Sequence, residues 1–132
     1  MVALKDERGQ ALSAVVLALA LAATAMIGIR AAQDRIVNGA RAQRAGEAAV
    51  EAAAQAVADL YAARPAAARE LVADLRVIET ARVAAEELAR ENGRQGVEGV
   101  QLRCAGRRIE ARLVLSGYSH RAGFSAPECS LP

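Results

Sequence analysis

The sequence predicts an α+β protein: a long N-terminal helix, a second amphipathic helix and a small C-terminal β-hairpin head. Three observations predict it. Residues 11–29 form one uncharged apolar run, ALSAVVLALALAATAMIGI. Alanine, the strongest helix former, supplies 34 of the 132 residues. After Gly99 the apolar spacing changes from helical to every second residue. Composition also excludes functions. A net charge of +2 implies no strong field for nucleic acid. One His and two Cys leave little material for a metal site, a cofactor site or a nucleophilic triad. Neither an enzyme nor a small-molecule substrate is expected. Alanine buries little area, and three aromatic residues add little more, so the core should be thin.

The chain begins with a polar segment, residues 1–10, in which Lys5, Asp6, Glu7 and Arg8 stand in a row. Residues 11–29 follow as a transmembrane helix. At 1.5 Å per residue they span about 28 Å, close to the hydrocarbon thickness of a bilayer. Ser13 and Thr24 return their hydroxyls to carbonyls one turn back, so neither forbids insertion. Ala14, Ala18, Ala22 and Ala25 lie along one side and permit close helix approach. A second reading stays open. Ala23-Thr24-Ala25 has the small-x-small form of a signal-peptidase site, and cleavage after Ala25 would release a small secreted binding protein.

Two signals disagree on orientation. Arg30, Arg35, Arg41 and Arg44 follow the span, and the cation count puts that side in the cytoplasm. Cys104 and Cys129 are an even pair in a core-poor domain, which suggests a disulfide and an oxidising compartment. The disulfide argument is preferred, placing the C-terminal domain outside.

Residues 30–63 lack proline and continue the helix. Ile36, Val50, Val57 and Leu60 form only a narrow stripe, which fits a stalk packed against neighbours or a helix folded on its own domain. Residues 64–132 form the head. Arg64-Pro65 marks a break, and residues 65–91 place Leu71, Leu75, Ile78, Ala85 and Leu88 on one face. Glu86 and Arg90 are spaced for an i, i+4 ion pair. Asn92-Gly93 ends the helix. The glycines from Gly93 to Gly99 lack the lysine of a phosphate loop and read as a connector. Val100, Leu102 and Cys104 alternate, as do Ile109, Ala111, Leu113 and Leu115, giving a hairpin around Ala105-Gly106-Arg107. Residues 117–132 read as irregular chain tied back by Cys129, with His120 on the surface.

The order of these features resembles TadE/TadG-like proteins of tight-adherence (Flp, type IVc) pilus and related secretion systems. The residues that carry the resemblance are Glu7-Arg8-Gly9-Gln10-Ala11 before the apolar helix and the Ala/Arg/Glu-rich stretch Arg41–Ala54. Ala89-Arg-Glu-Asn92-Gly93 before a hairpin carrying Cys104 is similar to the small TadE-like members. The resemblance implies a membrane-anchored, pilin-like protein that packs with other pilin-like subunits or with assembly-platform proteins. Its processed members are cut after a glycine, which matches Gly9 and makes Gln10 the candidate mature N-terminus, whereas TadG-like relatives keep their N-terminus. The processed members carry glutamate at the fifth mature position, where this chain has Ala14.

Overall fold

The computed structural model describes residues 3–130, with side chains from residue 9 onward. Helix α1 (Ala3–Ala63) is followed by a 3-10 turn (Pro65–Ala67), α2 (Ala68–Ala73) and α3 (Leu75–Glu91). Strands β1 (Glu98–Ala105), β2 (Arg108–Leu115) and β3 (Tyr118–Ser125) and a last 3-10 turn (Pro127–Ser130) complete the chain. The fold is α+β. The chain divides into two compact units, residues 1–39 and 40–132, with α1 contributing to both.

In the first unit every large apolar side chain between Leu12 and Ile29 exposes more than half of its surface. Ser13 Oγ donates to the carbonyls of Gly9 and Gln10 at 2.9 and 3.0 Å, and Thr24 Oγ1 donates to Leu21 O at 2.9 Å. Both hydroxyls are thereby satisfied within the helix, as lipid would require.

The second unit owes its core to small residues. From α1, Ala45, Ala49, Val50, Ala53 and Val57 are buried. Residues 40–63 thus belong to this unit, as in the second of the two arrangements open for this stretch, a helix packed on its own domain. The sheet's inner face answers with Leu102, Ile109, Ala111, Leu113 and Leu115, the last four alternating along β2. Leu71, Ile109, Leu113 and Leu115 are the largest side chains that are wholly enclosed. Helix α3 contributes Val77, Ala81, Ala85 and Ala89, each one turn from the next.

That α3 face departs from the expected one. Leu75 is 79% exposed, because residues 65–91 are two helices and not one. Asp74 sits between them with an extended ψ of 118°, and its carboxylate accepts from Arg76 N at 2.8 Å. This N-cap starts a new helix and resets the phase, so Leu71 and Leu75 no longer share a side. Glu86 pairs with Arg82 in place of Arg90, and Arg82 also holds Glu79. The end of α3 follows expectation. Gly93 N donates to Arg90 O at 2.9 Å and Arg94 N to Ala89 O at 2.8 Å, the paired bonds of a Schellman stop.

The head contains a three-stranded antiparallel meander, β1-β2-β3, where the sequence suggested a two-stranded hairpin and a loose tail. Gly106, at φ 61°, leads the two-residue turn between Ala105 and Arg108. Ser116 and Gly117 have φ of 54° and 80°, the double positive φ of a type I′ turn, which matches the twist of adjoining strands. That turn folds the tail onto β2, pairing Leu113 with His120 and Ile109 with Phe124.

Candidate functional site

Two places collect the residues singled out by the sequence. The first is the apolar half of α1. Ala14, Ala18, Ala22 and Ala25 are all exposed, as are Gly9 and Gln10 at its start. No residue of the apolar run is buried by the rest of the described chain. A run that is apolar on every side and exposed on every side is suited to lipid or to other helices. Length and composition make it compatible with a single-pass membrane protein.

The second place is the closure of the head. Cys104, half-buried in β1, is joined by a disulfide to Cys129, buried in the last 3-10 turn, with Cα atoms 5.4 Å apart. The same turn is held by three further contacts. Ala126 N donates to Arg107 O at 2.8 Å, and Arg69 Nη2 donates to Cys129 O at 3.3 Å. Tyr61, near the end of α1, donates its hydroxyl to the Glu128 carboxylate. Its ring lies 5.5 Å from that of Phe124, tilted by 51°. So α1, α2 and β1 all converge on a turn the sequence left irregular, and β3 supports it through the Phe124 ring on Tyr61.

The electrostatics follow from those partners. The Tyr61 hydroxyl, the backbone of Glu128 itself and nearby Arg107 hold the Glu128 carboxyl below the usual glutamate range. The same hydrogen bond pushes the Tyr61 hydroxyl up. A lowered carboxyl contributes stability above its unfolded value and loses it as pH falls through the folded one. The contact therefore weakens below about pH 4.3, the ordinary glutamate value. We expect the Glu128 carboxyl signal in NMR to titrate below that value and to move back toward it in Tyr61→Phe. An unchanged midpoint in that variant would remove Tyr61 as the cause.

His120 is only 4% exposed, against the surface position expected. Pairing with Leu113 turns it to the inner face, where its ring fills the space left by Gly46 of α1. Its buried Nε2 has no hydrogen-bond partner among the described residues. What the ring does make is a packing contact, edge-on to the backbone of α1 at Gly46. Among the described residues, no three His, Cys, Asp or Glu side chains are grouped to hold a metal ion.

The Tyr61–Glu128 link and the Gly46–His120 contact were not anticipated from the sequence. A signal existed for the second: Ser116-Gly117 is a turn dipeptide, and His120, Ala122 and Phe124 follow it at period two. No family model matches this chain, and the searches of curated proteins and solved structures return no match. Function has to be argued from the residues.

Proposed function

We propose that this protein is a structural or assembly component of a bacterial tight-adherence pilus or a related secretion apparatus. The observation that carries the reading is the uncharged run 11–29, exposed on all sides at the end of a helix whose other half builds a folded head. Such a helix anchors the chain in the plasma membrane and packs laterally against other pilin-like subunits or platform proteins. The head stands outside the cytoplasm, where an oxidising compartment maintains the Cys104–Cys129 bond. The resemblance to small TadE-like proteins supplies the class of apparatus. No step of this role requires a bound cofactor.

One observation favours a second reading. The compact unit starts at Ala40, so signal-peptidase cleavage after Ala25 would leave it whole, as a small secreted binding protein. The N-terminal residue of the mature protein separates the two. Membranes washed with alkaline carbonate should retain a chain that begins at Met1 or at Gln10, the latter if Gly9 marks a prepilin-peptidase site. A soluble product beginning at Met26 would overturn the membrane reading and leave the secreted one.

A further inference from the structure

We propose that the head binds a second copy of itself. The arginine face of the sheet on one copy seats against an acidic stripe of α1 on the next. The contact deepens the assembly reading above and rests on it for its setting, a membrane in which copies share one orientation.

The outward positions of the sheet carry Arg103, Arg108, Arg112 and Arg121 against Glu98 and Glu110. Glu110 is already engaged, 2.7 Å from Arg103 and 4.0 Å from Arg112. Arg112 and Arg121 face each other directly across the β2–β3 pair. Like charges in that position repel across a sheet, and the one carboxylate that attracts both of them, Glu110, is shared with Arg103. The Nε of Arg112 is buried without a hydrogen-bond partner among the described residues. Guanidinium groups left in this condition are suited to carboxylates, which they bind in a two-pronged fashion.

The same chain offers the complement. Gln43, Glu47, Glu51, Gln55 and Asp59 recur every fourth residue along α1, and all five are exposed. Gln43 donates to Glu47 at 3.0 Å and Gln55 to Asp59 at 2.8 Å, which holds two of the three carboxylates in place. None of the three has an ion pair among the described residues, whereas the acids of α3 are partly spent on Arg82 and Arg90. From Glu47 to Asp59 the stripe rises about 18 Å at 1.5 Å per residue and winds about a third of a turn around the helix, in a stretch centred on Glu51. Arg108 to Arg112 covers about 14 Å along β2 at 3.4 Å per residue. The two surfaces are of comparable extent.

They cannot meet within one copy. Gly46 of α1 packs on His120 at the sheet's inner face, so the stripe points away from the sheet on one side. The arginines point away from α1 on the other. A contact between different patches is heterologous and does not close on itself, which builds open assemblies.

The test uses the full-length chain in detergent, followed by sedimentation velocity. The wild-type chain should associate at low salt and dissociate at high salt. Arg121→Glu and Glu51→Arg should each weaken association about tenfold or more, since each creates a like-charge contact. Arg121→Glu should at the same time leave the melting temperature about unchanged, because a carboxylate opposite Arg112 offsets the lost attraction to Glu110. That result separates a lost interface from a damaged fold. Mixing the two variants, or combining both substitutions in one chain, should restore association. A wild-type chain that stays monomeric at low salt would overturn the proposal. So would association that neither variant changes, which would assign it to the membrane helix. Capture of a non-associating chain by anionic lipid vesicles, lost in Arg121→Glu, would make the arginine face a headgroup site instead. A soluble product beginning at Met26 that still shows the salt dependence and the charge-swap rescue keeps this contact while removing the membrane reading.

Discussion

Cys129→Ser should cost the head about 2–5 kcal/mol. Cross-linking residues 25 apart removes about 3.5 kcal/mol of loop-closure entropy from the unfolded chain, on the entropic account of disulfides. Domains of this size hold only about 5–15 kcal/mol in total, so the loss is a large share. The enclosed loop contains β2 and β3, and their pairing does not depend on the bond. Damage should therefore concentrate at the last turn, where Ala126, Glu128 and Cys129 dock. In denaturant titration the midpoint should fall sharply, and a glutamate-specific protease should cut at Glu128. Trypsin should still spare Arg121 within β3. Equal protease protection in wild type and variant would show that the hydrogen bonds alone hold the turn. Peptide mass spectrometry of native membranes without reductant should yield a Cys104–Cys129 linked peptide. Two freely alkylating thiols would transfer the orientation argument to the arginines after the span.

What was legible in the sequence depended on which residues could carry an inside–outside signal. The run 11–29 and the alternation along β2 use Leu, Ile and Val against charged neighbours, and both patterns are plain. The buried side of α1 is written largely in alanine. Ala42, Ala45, Ala49 and Ala53 are enclosed, yet alanine is equally common on the exposed run before them, so its position said nothing about burial. Strand β3, YSHRAGFS, has no β-branched residue and one internal glycine, which is poor strand material by composition. Its state is imposed by the Ser116-Gly117 turn and by pairing with β2. Gly123 fits there because a Cβ would press on the Ile109 carbonyl at 2.5 Å. The phase of α3 is hidden for a local reason, since one capping aspartate, Asp74, splits a periodicity that is continuous in the sequence. The disulfide partners were legible only because the chain has two cysteines, whereas Tyr61–Glu128 joins positions with no sequence pattern between them.

Gly46→Ala should destabilise the head by about 2 kcal/mol, against the usual direction for a helix interior. Replacing glycine by alanine within a helix ordinarily gains about 1 kcal/mol. Here a Cβ would fall well inside 3.0 Å of the Nε2, Cε1 and Cδ2 atoms of His120. The ring is only 4% exposed, on the strand beside Leu113, so it has little room to turn away. Overpacking costs about 1–3 kcal/mol and occasionally more, and three ring atoms in conflict put this site at the upper end. Gly39, in the same helix, has nothing within 4 Å of its would-be Cβ, so Gly39→Ala should show the ordinary gain. Gly46→Leu, with three further heavy atoms, should leave the head unfolded. The decisive measurement is a double-mutant cycle by denaturant unfolding. In a His120→Ala background the conflict is gone, and Gly46→Ala should become neutral or stabilising. A coupling of about 2 kcal/mol or more would assign the glycine to the histidine. Additive effects would mean that the ring moves aside at no cost, and that helix and sheet are held at their spacing by something other than this pair.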